Sequence, residues 1–227
     1  MTVGASTDFI PDAPPWRRIE LPGLGPVEVR DSGPVEGLPD RPAILLLHGW
    51  TASTDLNWCR TYEALARWSS GQTRIVTWDQ RGHGARGLRT GSTTRIDDMA
   101  DDAAAIAAAL GIERAIVVGY SMGGAVAQAT WRRHPGLVAG MILGATAARF
   151  AVDDRQRLDF TLMERGIGPS RRLESVGCSG LAWRGARWFG DRRAGRAATG
   201  DPSFDTWAWD ETRSGVLSRV LAAGHDL

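Results

Sequence analysis

Ser121 is the residue whose neighbours in the sequence best suit it for chemistry. It lies at the centre of Gly119-Tyr120-Ser121-Met122-Gly123-Gly124, a G-x-S-x-G motif that follows the apolar run 115–118 and opens a segment of helical spacing. A strand that turns directly into a helix strains the central residue and points its side chain outwards, and Gly119 and Gly123 let the strand and the helix approach closely. We therefore expect Ser121 Oγ to be a nucleophile for acyl transfer at the carboxyl edge of a sheet.

A strand, a glycine cluster and a helix in this order also occur in dinucleotide-binding sites. That fingerprint requires G-x-G-x-x-G, because the backbone must approach the pyrophosphate closely. Here Tyr120 and Ser121 occupy the positions where the approach needs glycine. A dinucleotide site is therefore excluded.

A serine hydroxyl needs a histidine base, and usually an acid that orients the base. Of the four histidines, His48 and His83 lie in loops after predicted strands. His134 precedes Pro135 at the predicted end of a helix, where a cation interacts favourably with the helix dipole. His225 remains as the candidate base, although the segment before it has helical spacing.

Two further motifs precede Ser121, namely His48-Gly49-Trp50 and Asp79-Gln80-Arg81-Gly82-His83-Gly84, each directly after an apolar run. In this order and spacing the three motifs resemble the α/β-hydrolase fold family over residues 43–148. The resemblance implies that the backbone N–H groups of Trp50 and Met122 form an oxyanion hole. It also implies that Asp79 and His83 order the turn after their strand and take no part in catalysis.

The resemblance also indicates where the remaining catalytic residues belong. In this fold the chain order is Ser, then Asp or Glu, then His, and both follow further strands. No apolar strand followed by an acid occurs after Leu143. We therefore expect a chain truncated before its acid and histidine, which lie beyond Leu227, and nearly inactive as it stands.

Apolar runs that alternate with segments of helical spacing predict an α/β fold, a mostly parallel sheet flanked by helices. The predicted buried strands are 43–47, 74–78, 115–118 and 140–143, after an opening hairpin of 18–21 and 27–30. The predicted helices are about 55–68, 96–110 and 121–134, the second capped by Thr94 with Asp97 and ended by Gly111. We assign residues 1–148 to the N-terminal part of the hydrolase core and residues 149–227 to a helical cap.

Composition excludes several classes of function. The 27 basic and 26 acidic residues nearly cancel, so no nucleic-acid partner is expected. No apolar stretch is long enough to span a membrane and the start does not have the pattern of a secretory signal, so we expect a soluble, cytoplasmic protein. Cys59 and Cys178 lie in no metal-binding or reactive motif, and neither a metal nor an organic cofactor is implied.

The resemblance implies a serine hydrolase that acts on an ester-like carbonyl, similar to a carboxylesterase or lipase. Tryptophans in the predicted cap suggest an apolar or aromatic ester as substrate. Two alternatives stay open because one fold hosts many functions. The chain could catalyse another reaction, such as C–C bond hydrolysis or cofactor-free peroxidation, or it could be a non-catalytic ligand-binding module that lacks the base.

Overall fold

The computed structural model describes residue 10 and residues 12–38, 40–50, 52–84, 86–88 and 95–148. The predicted cap at 149–227 lies outside these described residues, and so do His225 and Cys178. Most of the predicted core is thus described.

The described strands are β1 (Trp16–Leu21), β2 (Gly25–Asp31), β3 (Ala43–Leu47), β4 (Ile75–Trp78), β5 (Ala115–Tyr120) and β6 (Val138–Gly144). Within the described part of the chain they form one six-stranded sheet in the order β1-β2-β4-β3-β5-β6. The last four are parallel to one another, and the β1–β2 hairpin joins β4 in antiparallel pairing. The predicted mostly parallel sheet with an opening hairpin is therefore confirmed.

The parallel strands at the centre of the sheet are buried on both faces. Leu45, Leu46 and Leu47 of β3 have no exposed surface, and neither do Val76 of β4 and Val117 of β5. Continuous apolar sequence is what such strands require, and it explains why these runs could be recognised. Leu47 pairs with Gly119 across β3 and β5, so the loops that follow these two strands meet at one edge of the sheet.

The helices of the described residues are α1 (Thr54–Ser69), α2 (Ile96–Ala109) and α3 (Met122–Arg133). The Ser53 hydroxyl caps α1 by accepting the N–H of Leu56 at 3.2 Å. Gly111 follows α2 with a φ of +66°, as predicted for the residue after a helix end.

The predicted cap at the start of α2 is wrong by one residue. Arg95 is the N-cap, and its N–H donates to Asp98 Oδ2 at 3.4 Å, whereas Thr94 lies outside the described residues. Asp97 instead forms an ion pair with Arg132 of α3. The error arises because both carboxylates lie in the first turn, and the partner of Asp97 is 35 residues away in the chain.

Four strands are longer than predicted, namely β1 and β2 of the hairpin as well as β5 and β6. β5 continues through Gly119 and Tyr120, and β6 spans Val138–Gly144, because Gly119 pairs with Leu143 and Tyr120 with Gly144. Strand β6 lies at one end of the described sheet, and its Ile142 and Leu143 side chains are 58% and 43% exposed. None of the helices described here combines the length and the apolar character needed to cross a membrane.

Candidate active site

The backbone at Ser121 lies in a strained region. Ser121 connects β5 to α3 with a φ of 52° and a ψ of −118°. A positive φ is uncommon for a residue with a side chain, and it persists only where the surroundings enforce it. Here the Ser121 N–H donates to the Gly144 carbonyl and the Ser121 carbonyl accepts the Gly124 N–H, each at 2.9 Å. Neighbours on both sides therefore hold the turn.

The two glycines of the motif are required by steric contacts. A Cβ atom on Gly119 would lie 2.3 Å from the Gly123 carbonyl oxygen, and one on Gly123 would lie 2.0 Å from the Leu47 carbonyl oxygen. Both neighbours are backbone atoms, which cannot move without shifting α3 or β3. The predicted strand–turn–helix is thus present, and glycine at these positions lets β5, α3 and β3 pack closely.

The loop after β3 packs directly against Ser121. A Cβ atom on Gly49 would lie 3.3 Å from Ser121 Cβ and 3.1 Å from Tyr120 Cδ1. Trp50 follows in a turn, and Met122, which is buried, is the first residue of α3. The structure therefore brings together the predicted nucleophile and the segments that carry both predicted oxyanion-hole donors. That these amides bind an oxyanion remains a prediction.

His48 is buried, and both its ring and its carbonyl form hydrogen bonds with neighbouring loops. The N–H of Gln80 donates to His48 Nε2 at 2.8 Å, and His48 Nδ1 lies 2.8 Å from the Gly49 carbonyl oxygen. The Gln80 side-chain Nε2 donates to the His48 carbonyl at 2.6 Å. Burial and the adjacent His83 ring lower the pKa of His48 to about 3, against the opposing effect of the Gly49 carbonyl. His48 is therefore neutral at physiological pH.

Asp79 and His83 contact the loops around them. Asp79 Oδ1 accepts the N–H of Thr54 at 2.8 Å, and a Cβ atom on Gly84 would lie 1.9 Å from Asp79 Oδ2. His83 Nδ1 donates to the Arg81 carbonyl at 3.0 Å, since a carbonyl can only accept. Burial lowers the pKa of His83 to about 4. These contacts agree with the predicted ordering of the turn.

Two interactions near the site, and one at the opposite end of α3, were not predicted. Asn57 Oδ1 accepts the Gly49 N–H at 3.0 Å, the Gln80 amide contacts His48, and His134 Nε2 lies 2.7 Å from Asp101 Oδ1. His134 was expected to interact only with the helix dipole. Asn57 lies in the first turn of α1 and Gln80 follows β4, but neither position indicates the bonding partner in the sequence.

Two other predictions concern metal binding and thiols. Among the described residues no three His, Cys, Asp or Glu side chains cluster as metal ligands do. Cys59 is a buried free thiol of α1, and burial raises its pKa. It has no feature of a reactive cysteine.

Comparison with known proteins identifies a family and several relatives of this chain. A family model described as alpha/beta hydrolase fold matches residues 42–221. A non-heme chloroperoxidase from Streptomyces lividans is 36% identical over 115 residues, which are 50% of this chain and 38% of that protein. A bifunctional esterase/perhydrolase from Acinetobacter calcoaceticus is 36% identical over 99 residues, 44% of this chain and 34% of that protein. The chain thus matches well under half the length of these curated relatives.

A solved structure shows the same fold. A thermophilic esterase from Thermogutta terrifontis aligns with a TM-score of 0.65 at 22% identity, over 93% of this chain and 71% of that one. At this identity the likeness concerns the fold, and the reaction must be argued from the site.

Proposed function

We propose that this chain, which belongs to the α/β-hydrolase fold family, carries the nucleophile and oxyanion hole of a serine hydrolase acting on an ester-like carbonyl. The observation that carries the proposal is the Ser121 turn. Its backbone is strained, glycines on both sides have no room for a Cβ atom, and the Gly49–Trp50 loop packs against it. A structure that needed only a turn would not require a serine at a positive φ.

The proposed reaction follows from these groups. Ser121 Oγ attacks the carbonyl carbon while a base removes its proton, and the former carbonyl oxygen becomes an oxyanion. The N–H groups of Trp50 and Met122 donate to that oxygen, and the N-terminus of α3 adds a favourable dipole. The alcohol leaves with the proton, and water then hydrolyses the acyl-serine to regenerate Ser121.

The base and the acid of this reaction are proposed to lie outside the described residues. His225 is the candidate base in the sequence, and the expected alternative is an acid and a histidine beyond Leu227. An apolar or aromatic ester is proposed as the substrate. A cytoplasmic location is proposed separately. The proposed substrate rests on the tryptophans of residues 149–227.

A second reaction is supported by the relatives. One is named a chloroperoxidase and another an esterase/perhydrolase. Hydrogen peroxide in place of water would attack the same acyl-serine, releasing a peracid and restoring the Ser121 hydroxyl. The two reactions share every proposed residue and differ in the acyl acceptor.

Labelling of the full-length protein tests the nucleophile. A fluorophosphonate probe is expected to label the wild type, and Ser121→Ala is expected to abolish both labelling and nitrophenyl-ester hydrolysis. Ser70→Ala is the matched control, because Ser70 also has a positive φ but is exposed at the end of α1. Ester hydrolysis at the wild-type rate in Ser121→Ala would refute the proposal. A folded wild type that neither reacts with the probe nor turns over esters or peroxide would indicate a binding module.

A further inference from the structure

The peptide group between Gly49 and Trp50 carries the N–H that the proposed oxyanion hole uses. Its carbonyl oxygen belongs to Gly49 and lies 2.8 Å from His48 Nδ1. A trans peptide is planar, with its N–H pointing opposite to its C=O. Whatever fixes the Gly49 carbonyl therefore also fixes the direction of the Trp50 N–H.

The His48 ring can hold that carbonyl only in one tautomer. The Gln80 backbone N–H donates to Nε2 at 2.8 Å, so Nε2 must be the unprotonated nitrogen. In the neutral imidazole the proton then lies on Nδ1, which donates to Gly49. The Gln80 main chain thus selects the tautomer that the Gly49 carbonyl needs.

The preceding peptide group, between His48 and Gly49, is held at both ends. The His48 carbonyl accepts from Gln80 Nε2 at 2.6 Å, and the Gly49 N–H donates to Asn57 Oδ1 at 3.0 Å. Gln80 follows β4 and Asn57 belongs to α1, so two elements fix this peptide from opposite sides. The bond from His48 Nδ1 to the Gly49 carbonyl then restrains the next peptide, between Gly49 and Trp50.

We propose that His48 is a positioning residue that aims the Trp50 N–H, and that Gln80 acts through it by fixing its tautomer. The inference rests on the proposed function for its catalytic consequence, although the orientation itself does not depend on catalysis. His48 does not touch the substrate. It acts through the Gly49–Trp50 peptide, which lies against Ser121.

Two substitutions in the full-length protein separate the two nitrogens of His48. His48→Asn keeps a donor at the position of Nδ1 and loses the acceptor at Nε2, whereas His48→Gln keeps the acceptor and loses the donor. We expect His48→Gln to lower kcat for a nitrophenyl ester by about a hundredfold or more, the usual effect of losing one oxyanion donor. KM is expected to stay within about threefold, and His48→Asn to retain kcat within about tenfold.

A loss of stability alone must be distinguished from this effect. His83→Asn is the control, because His83 is equally buried beside His48 but bonds to the Arg81 carbonyl. We expect it to lower stability and leave kcat of the folded protein within a few-fold. Equal kcat losses in His48→Asn and His48→Gln, or a wild-type kcat in His48→Gln, would overturn the inference.

The wild type offers a test that requires neither variant to fold. In ¹⁵N-histidine-labelled protein, His48 is expected to show a protonated Nδ1 and a bare Nε2, and the opposite tautomer would overturn the inference. In ¹⁵N-tryptophan-labelled protein, phenylboronic acid, an oxyanion mimic, is expected to shift the Trp50 amide, assigned with Trp50→Phe. If the fluorophosphonate does not label Ser121, the proposed function fails, and the His48 tautomer alone decides the orientation.

Discussion

Ser121 has a backbone conformation that costs free energy and a set of contacts that maintain it. A non-glycine residue held in a sparsely populated region costs roughly 1–3 kcal/mol. The bonds of Ser121 to Gly144 and Gly124 join the turn to β6 and to the first turn of α3. The strain is therefore confined to one residue between two regular elements, which leaves the side chain direction fixed.

Replacement of Gly123 by alanine tests the close packing beneath Ser121. The new Cβ would lie 2.0 Å from Leu47 O and 2.8 Å from His48 O, so the start of α3 must move away from β3. We expect the free energy of unfolding, measured with urea, to fall by at least about 3 kcal/mol. Gly136→Ala is the control, because a Cβ there meets no heavy atom within 4 Å, and we expect a change below about 0.5 kcal/mol. Similar unfolding midpoints for the two variants would contradict the steric argument.

The buried histidines predict an acid-sensitive fold. Folding keeps His48 and His83 neutral, with pKa values of about 3 and about 4, whereas in the unfolded chain both titrate near 6.5. The unfolded state then binds more protons below pH 6.5, so stability is complete above that pH and falls as the pH decreases towards 4. We expect each histidine to account for about 2 kcal/mol lost between pH 7.5 and pH 5. Urea unfolding at both pH values measures the loss, and a loss in His83→Asn as large as in the wild type would contradict it.

The Ser121 turn could be predicted because its signal is local. Gly119, Ser121 and Gly123 lie within five residues directly after an apolar run, and this pattern is enough to predict the strand–turn–helix. The roles of Asn57 and Gln80 could not be predicted in this way. Each residue forms a hydrogen bond with the loop after β3 from another part of the chain, and Gln80 is 32 residues from its partner. An amide side chain has no sequence pattern that identifies a distant backbone partner.

At the scale of elements, Arg74 connects three pieces of the fold. Its Nε and Nη2 atoms donate to the Asp31 carboxylate at the end of β2, both at 2.8 Å, and its Nη1 donates to Leu110 O after α2 at 2.9 Å. Arg74 itself immediately precedes β4. Burial raises the pKa of Asp31, but the bonds from Arg74 and from the Gly33 N–H outweigh it, so the net pKa is lowered.

Removal of the Arg74 side chain is therefore expected to destabilise the fold. In Arg74→Ala the Asp31 carboxylate has no exposed surface and, among the described residues, keeps as a charged partner only the half-exposed Arg17 at 3.8 Å. Breaking a buried ion pair from one side costs roughly 3–5 kcal/mol. Arg67→Ala removes an exposed pair with Glu63 and is expected to cost less than about 1 kcal/mol. Urea unfolding compares the two, and equal costs would show that burial of the pair has no effect.

The bounds of the helices and strands were predictable to within about two residues. The side-chain contacts between neighbouring elements were not predictable. β3 is buried on both faces and was predicted with its observed bounds, since its apolar run ends where the strand ends. The cap of α2 was misplaced because Asp97 and Asp98 are equivalent in sequence, and only the position of α3 decides which one pairs with Arg132.

At the scale of the whole molecule, the described core brings Ser121, the Gly49–Trp50 loop and the start of α3 to one sheet edge. The family match extends to residue 221, and the curated relatives named above are more than twice as long as the regions they share with this chain. The order Ser, acid, His in this fold places the remaining catalytic residues after the Ser121 motif. We therefore expect the acid and the histidine to lie beyond residue 148.

The base for Ser121 is expected to come from outside the described residues. Each histidine ring in the described part bonds elsewhere: His48 to Gly49 and Gln80, His83 to the Arg81 carbonyl, and His134 to Asp101. A serine without its base retains only the residual rate that the oxyanion hole and binding provide, orders of magnitude below a complete triad. We therefore expect the 227-residue chain to hydrolyse nitrophenyl esters at least about a thousandfold more slowly than a full-length relative, with His225→Ala causing no further loss. Rapid hydrolysis by the 227-residue chain that His225→Ala stops, while His134→Ala does not, would instead identify His225 as the base.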